Sequence, residues 1–167
     1  MSMDAITLLK NDHRRIEKLF TRFEHTGERA NKTRRRIVDQ ITADLTMHTT
    51  LEERVFYPLV RQSVADADFV ILEAREEHHV VKLLLNELAR ISPSDEKFAP
   101  KVAVLIQAVR EHIQREEREI FPRMRKSVGR ARVVEIGDAM HKLQRKARDA
   151  SPKATKKAAR KTLKRVA

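Results

Sequence analysis

His48-Thr49-Thr50-Leu51-Glu52-Glu53-Arg54-Val55-Phe56-Tyr57-Pro58 returns later in the chain as His112-Ile113-Gln114-Arg115-Glu116-Glu117-Arg118-Glu119-Ile120-Phe121-Pro122. In both copies a His is followed four residues on by Glu, five on by a second Glu and ten on by Pro. Positions i and i+4 of a helix share one face, about one turn apart. An imidazole and a carboxylate so placed can reach the same metal ion. One such pair is common by chance; two in the same eleven-residue frame are not.

Around these stretches the apolar residues keep helical spacing. Ile6, Leu9, His13, Ile16, Phe20 and Phe23 form one stripe, with Ser2 or Asp4 as candidate cap and Gly27 beyond its end. A second runs through Ile37, Ile41, Leu45, His48, Glu52, Val55 and Leu59, with Asn31 as candidate cap and Pro58 expected to kink or end the helix. A third holds Ile71, Ala74, His78, Val81, Leu85 and Leu88, opened by Asp66 or Asp68 and closed at Ser92-Pro93. A fourth holds Phe98, Val102, Leu105, Val109, His112 and Glu116, with Ser94 or Asp95 as cap, Pro100 tolerated in the first turn, Pro122 as a kink and Gly129 as the stop.

The chain therefore reads as two repeated halves. His13 to His78 is 65 residues and His48 to His112 is 64. Four long helices with short connections predict an all-α fold, an up-down-up-down antiparallel four-helix bundle over residues 1–129. An additional short helix is expected over 130–150, and a disordered Lys/Ala-rich basic tail over 151–167.

Six polar residues interrupt the apolar seams: His13, His48, Glu52, His78, His112 and Glu116. A buried carboxylate needs a compensating charge, and the seams carry no Lys or Arg. Four imidazoles and two carboxylates suit first-row divalent or trivalent metals. One zinc ion takes only about four ligands and leaves two unused, whereas a dinuclear centre with bridging carboxylates uses all six. His79 competes with His78, but His78 lies on the Val81-Leu85-Leu88 face and matches His13 in the repeat. His25 and His141 fall outside the pattern and are expected at the surface. Glu53 and Glu117 are expected beside the site rather than on the metal, and Tyr57 is expected to serve ordinary packing.

Composition narrows the chemistry further. The 167 residues include no cysteine, which excludes disulfides, thiolate metal sites and Cys nucleophiles. The net charge of +12 is uneven: residues 142–167 hold eleven Lys or Arg against one acid. That tail, like those of linker histones, suits salt-sensitive, sequence-independent binding to DNA or RNA, with a merely solubilising role as the bland reading. No signal peptide or membrane span is evident, so a cytoplasmic location without membrane contact is expected.

Asp12-His13, His48-x-x-x-Glu52-Glu53 with Phe56-Tyr57-Pro58, Glu77-His78, and His112-x-x-x-Glu116-Glu117 with Phe121-Pro122 resemble the hemerythrin family, specifically bacterial domains with two His-His-Glu cation-binding repeats. The resemblance covers roughly residues 4–128. It implies a non-haem di-iron centre held by the four His and two Glu above, with two iron ions favoured over manganese or zinc. Dioxygen or peroxide is the implied small ligand, in oxidative-stress defence or in redox or iron sensing. Two departures stand out. Oxygen-carrying members place a second His one turn before the third-helix ligand, where this chain has Ala74. Their last carboxylate is an Asp five residues after the fourth-helix His, where this chain offers Glu116 at four. The resemblance therefore points away from reversible oxygen carriage and toward peroxide or oxygen reactivity, leaving open whether the protein is an enzyme. The alternative is a nucleic-acid-associated protein that uses its tail, with the metal site as scavenger or structural element.

Overall fold

The structure is a computed structural model and describes residues 3–163, without the side chains of residues 148 and 150–163. Its helices are α1 (Ala5–Glu24), α2 (Asn31–Leu51), α3 (Tyr57–Ser63), α4 (Asp68–Leu88), α5 (Phe98–Arg115) and α6 (Phe121–Leu163). Two single π-helical turns, Glu52–Phe56 and Glu116–Ile120, join α2 to α3 and α5 to α6. The result is four rods: α1, α2 continued by α3, α4, and α5 continued by α6. Neighbouring rods run antiparallel, up-down-up-down, as the stripes predict.

Local signals explain most boundaries. Asp4 caps α1, its Oδ1 accepting from the Thr7 amide at 2.9 Å. Ala30, not Asn31, occupies the cap position of α2, and no side chain caps it. Asp68 is the first residue of α4, while Asp66 sits in the preceding turn with φ 55°, a left-handed conformation that Asp tolerates better than most residues. Asp95 does not cap α5 directly; its carboxylate accepts from the Lys97 amide at 2.8 Å in the turn before it.

The two prolines act upstream of themselves. Pro lacks an N–H and its ring collides with the carbonyl four residues back. Instead of ending the rod, the helix widens to i→i+5 bonding: the Tyr57 and Phe121 amides reach the Glu52 and Glu116 carbonyls. The chain then resumes as α-helix. Each π-turn thus begins on one of the two carboxylates, a placement common at functional sites.

Gly129 breaks α6 with φ 72° and ψ 170°, as its expected role as a stop requires. The rod turns there and continues as helix to Leu163, where a short helix near 130–150 was expected. Ala, Lys and Arg are strong helix formers, which accounts for the added turns. The expected tail, 151–167, is described only as helical backbone to Leu163; residues 164–167 lie outside the described residues. Before that, Val133, Ile136 and Met140 fold back onto Ala5, Leu8 and Leu9 of α1. The approach is close: a Cβ on Gly137 would lie 2.1 Å from the Met3 carbonyl oxygen.

The apolar interior forms two separate clusters. One gathers Leu9, Leu51, Phe56, Tyr57, Ile71, Ala74, Ile120 and Phe121 near the chain ends of the bundle. The other gathers Ile16, Phe20, Ile41, Val81, Leu85, Phe98 and Val109 at the opposite end. A polar layer separates them, and each rod contributes to it.

Candidate metal centre

His13, His48, Glu52, His78, His112 and Glu116 are all buried, and both glutamates are fully inaccessible. Apolar turns above and below each residue bury it, because each occupies a core position of its stripe. Four imidazole Nε2 atoms converge on two carboxylate oxygens. Glu52 Oε2 lies 3.2 Å from His48 Nε2 and 3.3 Å from His78 Nε2. Glu116 Oε2 lies 3.3 Å from His13 Nε2 and 3.5 Å from His112 Nε2. His78 Nε2 and His112 Nε2 stand 3.1 Å apart. The donors fall into two groups of cation-holding geometry: His13, His48, Glu52 and Glu116, and Glu52, His78 and His112. Glu52 belongs to both.

The outward nitrogens are also directed. Glu117 meets His13 Nδ1 at 2.8 Å, Glu53 meets His78 Nδ1 at 2.9 Å, and Glu77 meets His112 Nδ1 at 2.8 Å. Asp12 points at His48 Nδ1 but stops at 3.9 Å, one methylene short of what Glu77 achieves in the other half. A cation closes each arrangement toward solvent: Lys10 on Glu117, Arg15 on Asp12, Lys82 on Glu53 and Arg115 on Glu77. A carboxylate on Nδ1 fixes the ring and leaves Nε2 with its lone pair toward the interior, the tautomer that a metal requires.

Sequence reasoning left three contributors unassigned. Asp12 and Glu77 were part of the resemblance but carried no role. Tyr57, expected to be packing, donates its hydroxyl to Glu116 Oε1 at 2.8 Å and lies 3.3 Å from His78 Nε2. Its ring stacks on His78 at 5.5 Å, as Phe121 stacks on His13 at 5.8 Å in the matching position of the other half. The signal for Tyr57 was its place in the repeat, five residues after the carboxylate. His79 and His25 are exposed and His141 is half-buried, so none reaches the layer.

Electrostatics mark the centre as incomplete by protein atoms alone. Burial, reinforced by the charge of Glu116, pushes the Glu52 carboxyl well above the carboxylate range. Glu116 is held below that range because His112, His13 and His48 overcome its burial. Burial pulls the His13 imidazolium down, yet Glu116 and Glu52 push its pKa up to about 9. The two carboxylates thus keep a proton between them on Glu52 and draw another onto His13, as compensation for missing positive charge. Even so, His13 Nε2, both nitrogens of His48, both oxygens of Glu52 and Glu116 Oε2 are buried without a hydrogen-bond partner. Each such atom costs about 1–3 kcal/mol. Orphaned nitrogen and oxygen lone pairs converging on one layer suit metal ions and little else.

Among the described residues no helix is long and apolar enough to cross a membrane. Residues 4–124 match the family model of the hemerythrin HHE cation-binding domain. A crystal structure of a hemerythrin HHE cation-binding domain-containing protein from Mycobacterium kansasii superposes with a TM-score of 0.76 at 22% identity, covering 89% of each chain. A protein named DNA nickase from Nostoc sp. (strain PCC 7120 / SAG 25.82 / UTEX 2576) is 30% identical over 126 residues, 75% of this chain and 35% of that relative. The chain thus spans about a third of the relative's length. With 4–124 matched, the chain belongs to the hemerythrin HHE cation-binding domain family.

Proposed function

We propose that this protein holds a non-haem di-iron centre and reacts with dioxygen or peroxide. The observation that carries the reading is the set of orphaned donors, sorted into two groups that share Glu52. One ion would be held by His13, His48, Glu52 and Glu116, and the other by Glu52, His78 and His112. Iron, when bound, supplies the redox chemistry toward an oxygen species. A single zinc ion would leave roughly half the donors unsatisfied.

The chain's own part is positioning, proton supply and exclusion of water. Glu53, Glu77 and Glu117 fix three imidazoles through Nδ1. Ala74, one turn before His78 and buried, offers no donor, so the second group has one nitrogen fewer than an oxygen carrier would present there. Beside that group the Tyr57 hydroxyl holds a proton, which burial and the nearby Glu116 and Glu52 keep well above the usual phenol range. It can donate to an anionic species formed within reach without becoming phenolate. Apolar layers on both sides keep bulk water out. This arrangement favours turnover of peroxide, or sensing by it, over reversible carriage.

Anaerobic loading with ferrous iron, followed by exposure to air or peroxide, tests the reading. Two irons per chain and a new visible charge-transfer band support it; one tightly bound zinc and no response to peroxide overturn it. A second reading is supported by the eleven cations of residues 142–167 and by the relative named as a DNA nickase: the tail holds the protein on DNA or RNA. Binding should then weaken steeply with salt and vanish on removal of 151–167. Unchanged binding by the shortened chain would dismiss it.

A further inference from the structure

The helix α4 is apolar on two faces. Ile71, Ala74, His78, Val81, Leu85 and Leu88 bury one face in the bundle. On the opposite side Phe69 is 75% exposed, and Leu72, Val80 and Leu83 are each 50% exposed. At 100° per residue these four fall within an arc of about 80°. Val104 of α5, 55% exposed, lies across the groove beside Leu84 and extends the same surface. Met3 is the only other large apolar residue exposed among the described residues. Scattered exposed side chains are ordinary, but a second stripe running along one helix is not.

The spacing of the stripe says what fits it. Phe69 and Leu83 each lie seven residues from Glu76, and Leu72 and Val80 each lie four. A second α4 running antiparallel, with a twofold axis opposite Glu76, therefore lays Phe69 and Leu72 of one copy over Val80 and Leu83 of the other. Twofold interfaces require this self-complementarity. The charges agree with it: Glu76, the acidic residue at the centre, is flanked on its own helix by Arg75 and His79. The twofold packing gives each central carboxylate a basic neighbour from the partner. We propose that the outer face of α4 is a self-association surface, through which two copies of this chain pair antiparallel about Glu76. The pairing leaves the metal layer on the other face of the same helix, so each copy keeps a complete set of donors.

The test uses the full chain, which has no native cysteine. Sedimentation at tens of micromolar chain should give a dimer. Leu72→Glu combined with Leu83→Glu should weaken the dimer by about tenfold or more while leaving helicity by circular dichroism unchanged, because both positions are exposed. Glu76→Cys places a thiol next to its own copy across the axis and should form an interchain disulfide under mild oxidation. Gln107→Cys, exposed on α5, is the control and should stay monomeric on denaturing gels. A wild-type chain that sediments as a monomer overturns the proposal, as does a dimer indifferent to the double substitution or cross-linking of Glu76→Cys no faster than the control.

Discussion

The two halves of the polar layer match position for position, and they differ in one hydroxyl and one methylene. In one half Phe121 stacks on His13; in the other Tyr57 stacks on His78 and its hydroxyl bonds Glu116. Glu77 reaches His112 at 2.8 Å, whereas the shorter Asp12 stops 3.9 Å from His48. The Tyr57 hydroxyl occupies one oxygen of Glu116, while both oxygens of Glu52 remain unpartnered. A near-symmetric scaffold thus yields two unequal sites, one rich in donors and one lean with a proton source beside it. Inequality of this kind suits a centre that keeps one ion saturated and lets the other exchange.

Removing the shared donor should erase the comparison altogether. Glu52→Gln is expected to drop metal content from two ions to nearly none, measured by plasma emission spectrometry. It should also stabilise the metal-free protein by about 1–3 kcal/mol, because a buried carboxyl that lacks partners is removed; urea denaturation reads this directly. Breaking one half only should leave the other. His48→Ala and His78→Ala are each expected to halve the metal content, and a complete loss from either would mean that the groups are not separable.

Smaller changes sharpen the contrast. Glu77→Gln removes a direct bond to a ligand imidazole and should weaken metal binding by about 10–100-fold, whereas Asp12→Asn should cost less, as its bond is already long. Competition with a chelator gives both numbers. Tyr57→Phe makes the two halves alike; it should slow the reaction with peroxide while leaving metal content unchanged, and it should cost the metal-free fold about 1 kcal/mol.

Acidity gives the smallest effect. In the metal-free protein the His13 pKa is raised to about 9. A raised imidazole contributes stability that is fully present below its unfolded value near 6.5 and is lost as pH climbs through the folded value. The raised Glu52 carboxyl acts in the same direction above its unfolded value, and the lowered His78 acts only below 6.5. The melting temperature of the metal-free protein should therefore fall between pH 6.5 and 9, and His13→Gln should flatten that slope.

Much of the molecule was legible because the core rule and the metal rule read the same stripes. His13, His48, His78 and His112 stood where Leu or Ile belongs, so the pattern that located the helices also located the layer. The outer partners were harder to find. Asp12, Glu53, Glu77 and Glu117 sit one residue off the buried face, where an acid is ordinary, and each serves an imidazole on another rod. Only the assembled bundle pairs them. Tyr57 was misjudged because its ring does pack, and nothing in spacing reveals where a hydroxyl points. The π-turns were not legible either: proline announces a break, but whether the chain ends, kinks or widens depends on what the following turn can bury. The outer face of α4 went unremarked because the helical period was read for one face only.

Anomalous diffraction at the iron edge from crystals of the iron-loaded protein tests the central claim most directly. The account predicts two peaks inside the bundle, one among His13, His48, Glu52 and Glu116 and the other among Glu52, His78 and His112. A single peak, or none in that layer, would contradict it.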